Sequence, residues 1–144
     1  MKIVLCSSAS FYKHVNELAD QLDAAGYEAV MPKNARKMRK TDDYDVAKSK
    51  TWYDNPEDFV KKRAYVDAHF AEIEQGDAVL IVNDKKHGIE GYIGPNVLME
   101  MALAYYLGKK MYVLNTVTKE NTVYEEVLGL GCEQLDGDIQ NLKA

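Results

Sequence analysis

Residues 97–107 read V-L-M-E-M-A-L-A-Y-Y-L, and Glu100 is the only charged side chain in that run. A helix that is apolar nearly all round is expected to be buried. A carboxylate buried there without partners is costly, so Glu100 must be paired or neutralised. Two uses follow. Either it locks packing through a basic or hydroxyl partner, or it is a rigid carboxylate on a pocket floor, available as nucleophile or general base. Asn96, four residues earlier, shares its helix face and lies one turn nearer the helix start.

The preceding segment, Gly91-Tyr92-Ile93-Gly94-Pro95-Asn96, has two glycines that let backbone approach a ligand closely. Pro95 suits the first helical position, which leaves free N–H groups and a positive dipole end for an anion. It is neither a P-loop nor a dinucleotide GxGxxG turn. Ser7, Ser8 and Ser10 follow the first apolar run and either cap the next helix or hold a phosphate or a sugar hydroxyl. Tyr12, Trp52, Tyr53 and Tyr92 are packing residues or stacking partners for a base. His69 lies beside the apolar seam of a helix and reads as structural, while His14 and His87 lack partners at metal spacing. No set of His, Cys and carboxylates has ligand spacing, so neither metal nor cofactor is expected. Cys6 and Cys132 are far apart in apolar segments and read as two reduced, buried thiols. A nucleophilic Cys6 or a redox pair is the alternative.

The elements that would position these residues alternate between apolar runs and helical patterns, the signature of a parallel sheet with crossover helices. Strands are expected at 2–6, 27–31, 78–83, 110–115 and 132–135. Helices are expected at 11–25, from 56 to the stop at Gly76, at 95–107, and as a short piece at 122–128, with a last helical turn in the tail. The 56–75 helix should open on Asn55 as N-cap and bury a seam of Phe59, Val66, Phe70 and Ile73. Residues 33–55 show no clear period and read as a long loop, either a lid or a solvated connection. The expected fold class is α/β, a flavodoxin-like doubly wound parallel sheet ordered 2-1-3-4-5, three-layered, in one domain over 1–144. Ligands bind such sheets at the carboxyl ends of strands one and three, where the Ser7–Ser10 and Asn83–Asn96 loops meet.

Composition agrees with a globular domain of 144 residues. The net charge is −5, yet residues 33–50 hold seven cations against three carboxylates. An acidic protein is a poor binder of nucleic acid polymers, while one basic segment can attract a small anion. No apolar run approaches the roughly 20 residues that span a bilayer, and the N-terminal residues carry no targeting signal, so a cytoplasmic protein without a membrane partner is expected.

The stretch DAVLIVNDKKHGIEGYIGPNVLMEMALAYYLGKKMYVLN resembles a bacterial family distantly similar to the nucleoside 2-deoxyribosyltransferases. The resemblance covers residues 77–115 well and the first strand loosely. It implies that Glu100 occupies the position of the glutamate that attacks the sugar's anomeric carbon. It also implies that residues after the third strand and at the end of the first hold the deoxyribose. The transferase pattern has an aspartate six residues before the glutamate and a Gly-Thr pair in between; here those positions are Gly94, Asn96 and Val97. Asn83 or Asp84 would then have to supply the missing group. Related nucleotide hydrolases use serines for a 5′-phosphate, which draws attention to Ser7, Ser8 and Ser10. Homo-oligomers, dimers or higher, are implied in the same way. The expected activity is cleavage or transfer of an N-glycosidic bond in a nucleoside or nucleotide. The rival expectation is a non-catalytic nucleotide sensor of the same fold.

Overall fold

A computed structural model describes residues 1–143. Five parallel strands form one sheet in the order β2-β1-β3-β4-β5: β1 (Lys2–Ser7), β2 (Glu28–Val30), β3 (Ala78–Val82), β4 (Lys110–Val113) and β5 (Glu133–Gln134). Helices cover both faces: α1 (Tyr12–Ala24), α2 (Lys33–Thr41), α3 (Val46–Ser49), α4 (Phe59–Gln75), α5 (Pro95–Tyr106) and α6 (Tyr124–Gly129). This is the flavodoxin-like, doubly wound α/β arrangement that the alternation predicts. Among the described residues no helix is long and apolar enough to cross a membrane.

Strand parity allots the core. Successive side chains of a strand point to opposite faces. Ile3, Leu5, Leu80 and Val82 therefore pack with Val15, Leu18 and Leu22 of α1. Val4, Cys6, Val79 and Ile81 pack with Ile73 of α4 and with Val97, Met101 and Ala104 of α5. Cys6 thus points at the α4/α5 layer because of its place in the alternation. In α5 the buried positions 97, 101 and 104 form one stripe, and Glu100 flanks it on the next turn.

Several elements differ from the sequence reading. Residues 33–55 are not a loop: they hold α2, α3 and a 3-10 turn at Thr51–Tyr53. Lys, Arg, Met and Ala favour helix, but only Ala35 and Met38 of α2 are buried, too few to show a period. The helix ends at Asp42, which takes the left-handed conformation at φ 51°. Asn55 makes no side-chain capping bond, and a 3-10 turn, Pro56–Asp58, precedes α4. Phe59 is 52% exposed against Trp52 rather than part of a buried seam. Nor is α5 buried all round: Met99, Tyr105, Tyr106 and Leu107 are exposed, because the helix lies on one flank of the sheet and presents its outer face. Strand β5 has two residues rather than four.

The loop after β3 is tied down by amides. Asn83, fully buried, accepts from the Asn115 N–H (2.8 Å) and donates to the Asn115 carbonyl (2.8 Å), while Asn121 donates to the Gly91 carbonyl (2.7 Å). Gly91 sits at φ +64°, where a Cβ would lie 3.1 Å from Asn83 Nδ2 and 3.1 Å from the Thr116 carbonyl. Gly91→Ala is expected to cost about 2 kcal/mol and lower Tm by about 6 °C, measured by calorimetry. An unchanged Tm would show that this amide lock does not hold the loop.

Candidate functional site

A cavity of about 290 Å³ opens at the carboxyl ends of β1 and β3. Its floor is Glu100 and His69, its sides Ser7, Ser8, Tyr12, Tyr92, Gly94 and Asn96, and its roof Lys33, Asn34, Lys50 and Trp52 from the α2–α3 segment. Of the residues singled out in the sequence, Ser7, Ser8, Tyr12, Tyr92, Gly94, Asn96 and Glu100 come together here. Ser10 is exposed and does not line the cavity. Asn83 and Asp84 do not line it either. Asn83 is spent on the loop lock, and Asp84 accepts from His14 (Nδ1–Oδ2, 2.7 Å) and from Asn115 (3.3 Å). The Asp84 contact raises the His14 pKa.

Glu100 is enclosed: its side chain is 14% exposed, and Oε2 is buried without a hydrogen-bond partner. Its other oxygen lies 3.9 Å from His69 Nε2. Burial holds the Glu100 pKa above its ordinary value, and the His69 charge only partly offsets this. His69 is held in turn. Its Nδ1 meets Glu72 Oε2 at 2.8 Å, and Glu72 Oε1 accepts from Arg36 at 2.8 Å, with Arg36 also bonded to the Met31 carbonyl. Burial alone would lower the His69 pKa, but the Glu72 hydrogen bond and the Glu100 charge outweigh it and raise it. The Glu72 pKa is lowered, because His69 and Arg36 outweigh its burial. Cys6 lies directly beneath, Sγ 3.6 Å from His69 Nε2, its thiol pushed well up by burial and then by Glu100. Burial, followed by the Glu100 charge, also holds the Tyr12 phenol above its ordinary range.

The rim is cationic. None of Lys33, Lys50, Lys62 and Lys86, all lining the cavity, pairs with a carboxylate among the described residues. Burial and then the Lys50 charge lower the pKa of both Lys62 and Lys86. Lys86 donates to Ser8 Oγ at 3.0 Å. Ser8 begins the 3-10 turn Ala9–Phe11 without a side-chain capping bond, so its hydroxyl faces the rim instead of the helix. The sequence reading placed Lys33 and Lys50 in its basic, anion-attracting segment but missed the Arg36–Glu72–His69 chain, Lys62 and Lys86. The His69/Glu72 spacing of three on a helix was a usable signal; Arg36 gave none, being distant in sequence.

No family model matches this sequence, and no curated protein matches it. Among solved structures, the chain is similar to a 2-deoxyribosyltransferase from the psychrotolerant bacterium Bacillus psychrosaccharolyticus. The TM-score is 0.50 at 18% identity, over 78% of this chain and 71% of that one. That enzyme is described as a biocatalyst for synthesis of antiviral and antitumoral nucleosides. At this identity the likeness establishes a shared fold.

The orphaned Glu100 oxygen has a thermodynamic consequence. For a carboxyl whose folded pKa is raised, the native chain holds more protons than the unfolded chain in the window above 4.5. Stability from this group therefore falls as pH rises through that window. Glu100→Gln removes the buried charge and keeps a carbonyl oxygen that can accept from His69 Nε2. It is expected to stabilise by about 1 kcal/mol, raising Tm by about 3 °C at neutral pH and by less near pH 4.5. A drop in Tm at neutral pH would mean that the ion pair with His69 outweighs the buried charge.

Proposed function

We propose that this protein cleaves or transfers the N-glycosidic bond of a nucleoside or nucleotide, with Glu100 as nucleophile. The observation that carries the reading is a rigid, nearly enclosed carboxylate, one oxygen unpartnered, on the floor of a cavity at the sheet's ligand end. Glu100 attacks C1′ and forms a C1′–O ester bond. The C1′–N bond breaks, its electron pair leaves with the base, and the base nitrogen takes up a proton. Water or a second base then attacks C1′ and frees the carboxylate, giving hydrolysis or transfer. His69, fixed by Glu72 and Arg36, holds Glu100 in place; Tyr12 and Tyr92 flank the substrate, and Asn96 and Ser7 offer polar contacts to it. The shared fold with a 2-deoxyribosyltransferase supports this reading at the level of architecture. The unpaired lysines favour the phosphorylated form of the substrate, since charge-assisted contacts to phosphate are stronger than neutral ones.

The test is incubation with pooled nucleosides and nucleotides, read by mass spectrometry for free base. Release is expected, falling by about three orders of magnitude or more in Glu100→Ala. A 5′-monophosphate is expected to show a KM about tenfold below that of its nucleoside. Because only the ionised carboxylate attacks, the acid limb of kcat/KM should lie above pH 4.5. Release unaffected by Glu100→Ala would end this mechanism.

One observation favours a second reading, a binding domain without catalysis. Neither Asn83 nor Asp84, which directly follow β3, reaches the cavity, so the group expected to hold the sugar is missing from its place. Saturable nucleotide binding with no product over hours would select it.

The exposed apolar face of α5 supports self-association, the state implied by the transferase resemblance. Light scattering is expected to give a dimer or higher, shifted toward monomer by Tyr106→Asp. A monomeric wild-type chain at micromolar concentration would remove this part of the proposal.

A further inference from the structure

Three donor atoms meet under the cavity floor. Cys6 Sγ, His69 Nε2 and a Glu100 carboxylate oxygen all lie within 4.8 Å of one another. They come from β1, α4 and α5, each of which is anchored in the core. Around a tetrahedral zinc ion, bond lengths imply separations of roughly 3.6 Å between sulfur and nitrogen and roughly 3.4 Å between nitrogen and oxygen. The observed separations are 3.6 Å for Cys6–His69 and 3.9 Å for His69–Glu100. Closing the second takes a side-chain adjustment of about half an ångström, and Cys6 and Glu100, within 4.8 Å of each other, close by roughly an ångström at most.

The surroundings match what a metal-binding histidine requires. Ligating imidazoles commonly donate their other ring N–H to a carboxylate, which fixes the tautomer and orients the ring. Glu72 makes that contact with His69 Nδ1, and Arg36 holds Glu72. Nε2 is thereby the ring nitrogen that faces Cys6 and Glu100, free to bind a metal once it gives up its proton. An independent observation comes from Glu100 itself: Oε2 is buried and unpartnered, a donor atom without a use in the folded chain. A dication joined to one thiolate and one carboxylate would be electrically balanced, with Glu72 matched by Arg36.

The geometry points to a binding site for one thiophilic divalent cation of the zinc class, held by Cys6, His69 and Glu100. The fourth coordination position opens onto the cavity, because His69 and Glu100 line it while Cys6 lies below. On binding, the Cys6 S–H bond breaks and a sulfur–metal bond forms; the thiol proton leaves to solvent, together with any proton carried by His69 Nε2 or Glu100. The site takes Glu100 as a ligand, so an occupied site withdraws the carboxylate from the glycosidic reaction. Metal binding does not rest on that reaction; only the resulting inhibition does.

Cobalt(II), titrated into the chelator-treated full-length chain, reports the site without any substrate. One equivalent should produce a thiolate-to-cobalt charge-transfer band and a tetrahedral visible spectrum, both displaced by one equivalent of zinc. Cys132→Ser should keep the band and Cys6→Ser should lose it. Glu100→Gln, expected to fold at least as well as the parent, should weaken cobalt binding about tenfold or more. No band with cobalt in excess overturns the site, as does a band that survives Cys6→Ser or keeps its wild-type affinity in Glu100→Gln. Turnover that persists at saturating cobalt, with the band present, overturns the inhibition and leaves the Glu100 nucleophile standing. An intact reaction with no cobalt band does the reverse.

Discussion

A carboxylate taken out of water has to be solvated by the protein around it, and the architecture of this site is organised around that demand at Glu100. Only one of its oxygens has a cation near it, at 3.9 Å, and the other has no partner. Burial without full compensation is a cost to the fold, and it is the kind of cost that proteins carry at sites of chemistry. The surrounding side chains keep it tolerable. Arg36 fixes Glu72, Glu72 fixes His69, and His69 faces Glu100, so a surface cation is relayed inward by two hydrogen-bonded carriers.

That relay ties the roof of the cavity to its floor. Arg36 belongs to α2, and the same segment supplies Lys33 and, further along, Lys50 and Trp52. The basic segment is therefore both a structural strut and the wall that gives the cavity its charge. On a chain with a net charge of −5, a rim of unpaired lysines concentrates positive potential where an anionic group would enter. The opposite side is held by different means. The buried amides of Asn83 and Asn121 and the half-buried amide of Asn115 fasten the loop before α5, which sets the start of the helix that carries Glu100.

Much of the fold was legible because its signals are local. Continuous apolar runs such as AVLIV belong to strands covered on both faces, and β3 is that. Glu100 was legible as an anomaly against an apolar background. The α2 helix was not, since two buried residues on a strongly basic helix do not make a pattern. Asn83 and Asp84 illustrate the other limit. Both sit in the right loop, but whether an amide or carboxylate faces a cavity or a neighbouring backbone depends on partners such as Asn115 and His14, distant in the chain.

The sequence by itself determined the strand order and the placing of a lone carboxylate one turn into α5. These follow from hydrophobic periodicity, which acts over a few residues and is written directly in the chain. The tertiary structure alone decided that Cys6, His69 and Glu100 share one point, that Arg36 reaches Glu72, and that four lysines from three separate segments rim one cavity. Those relations join residues tens of positions apart, and nothing in local spacing encodes them. They arise only when parallel strands and crossover helices bring the ends of β1 and β3 and the flanks of α4 and α5 together.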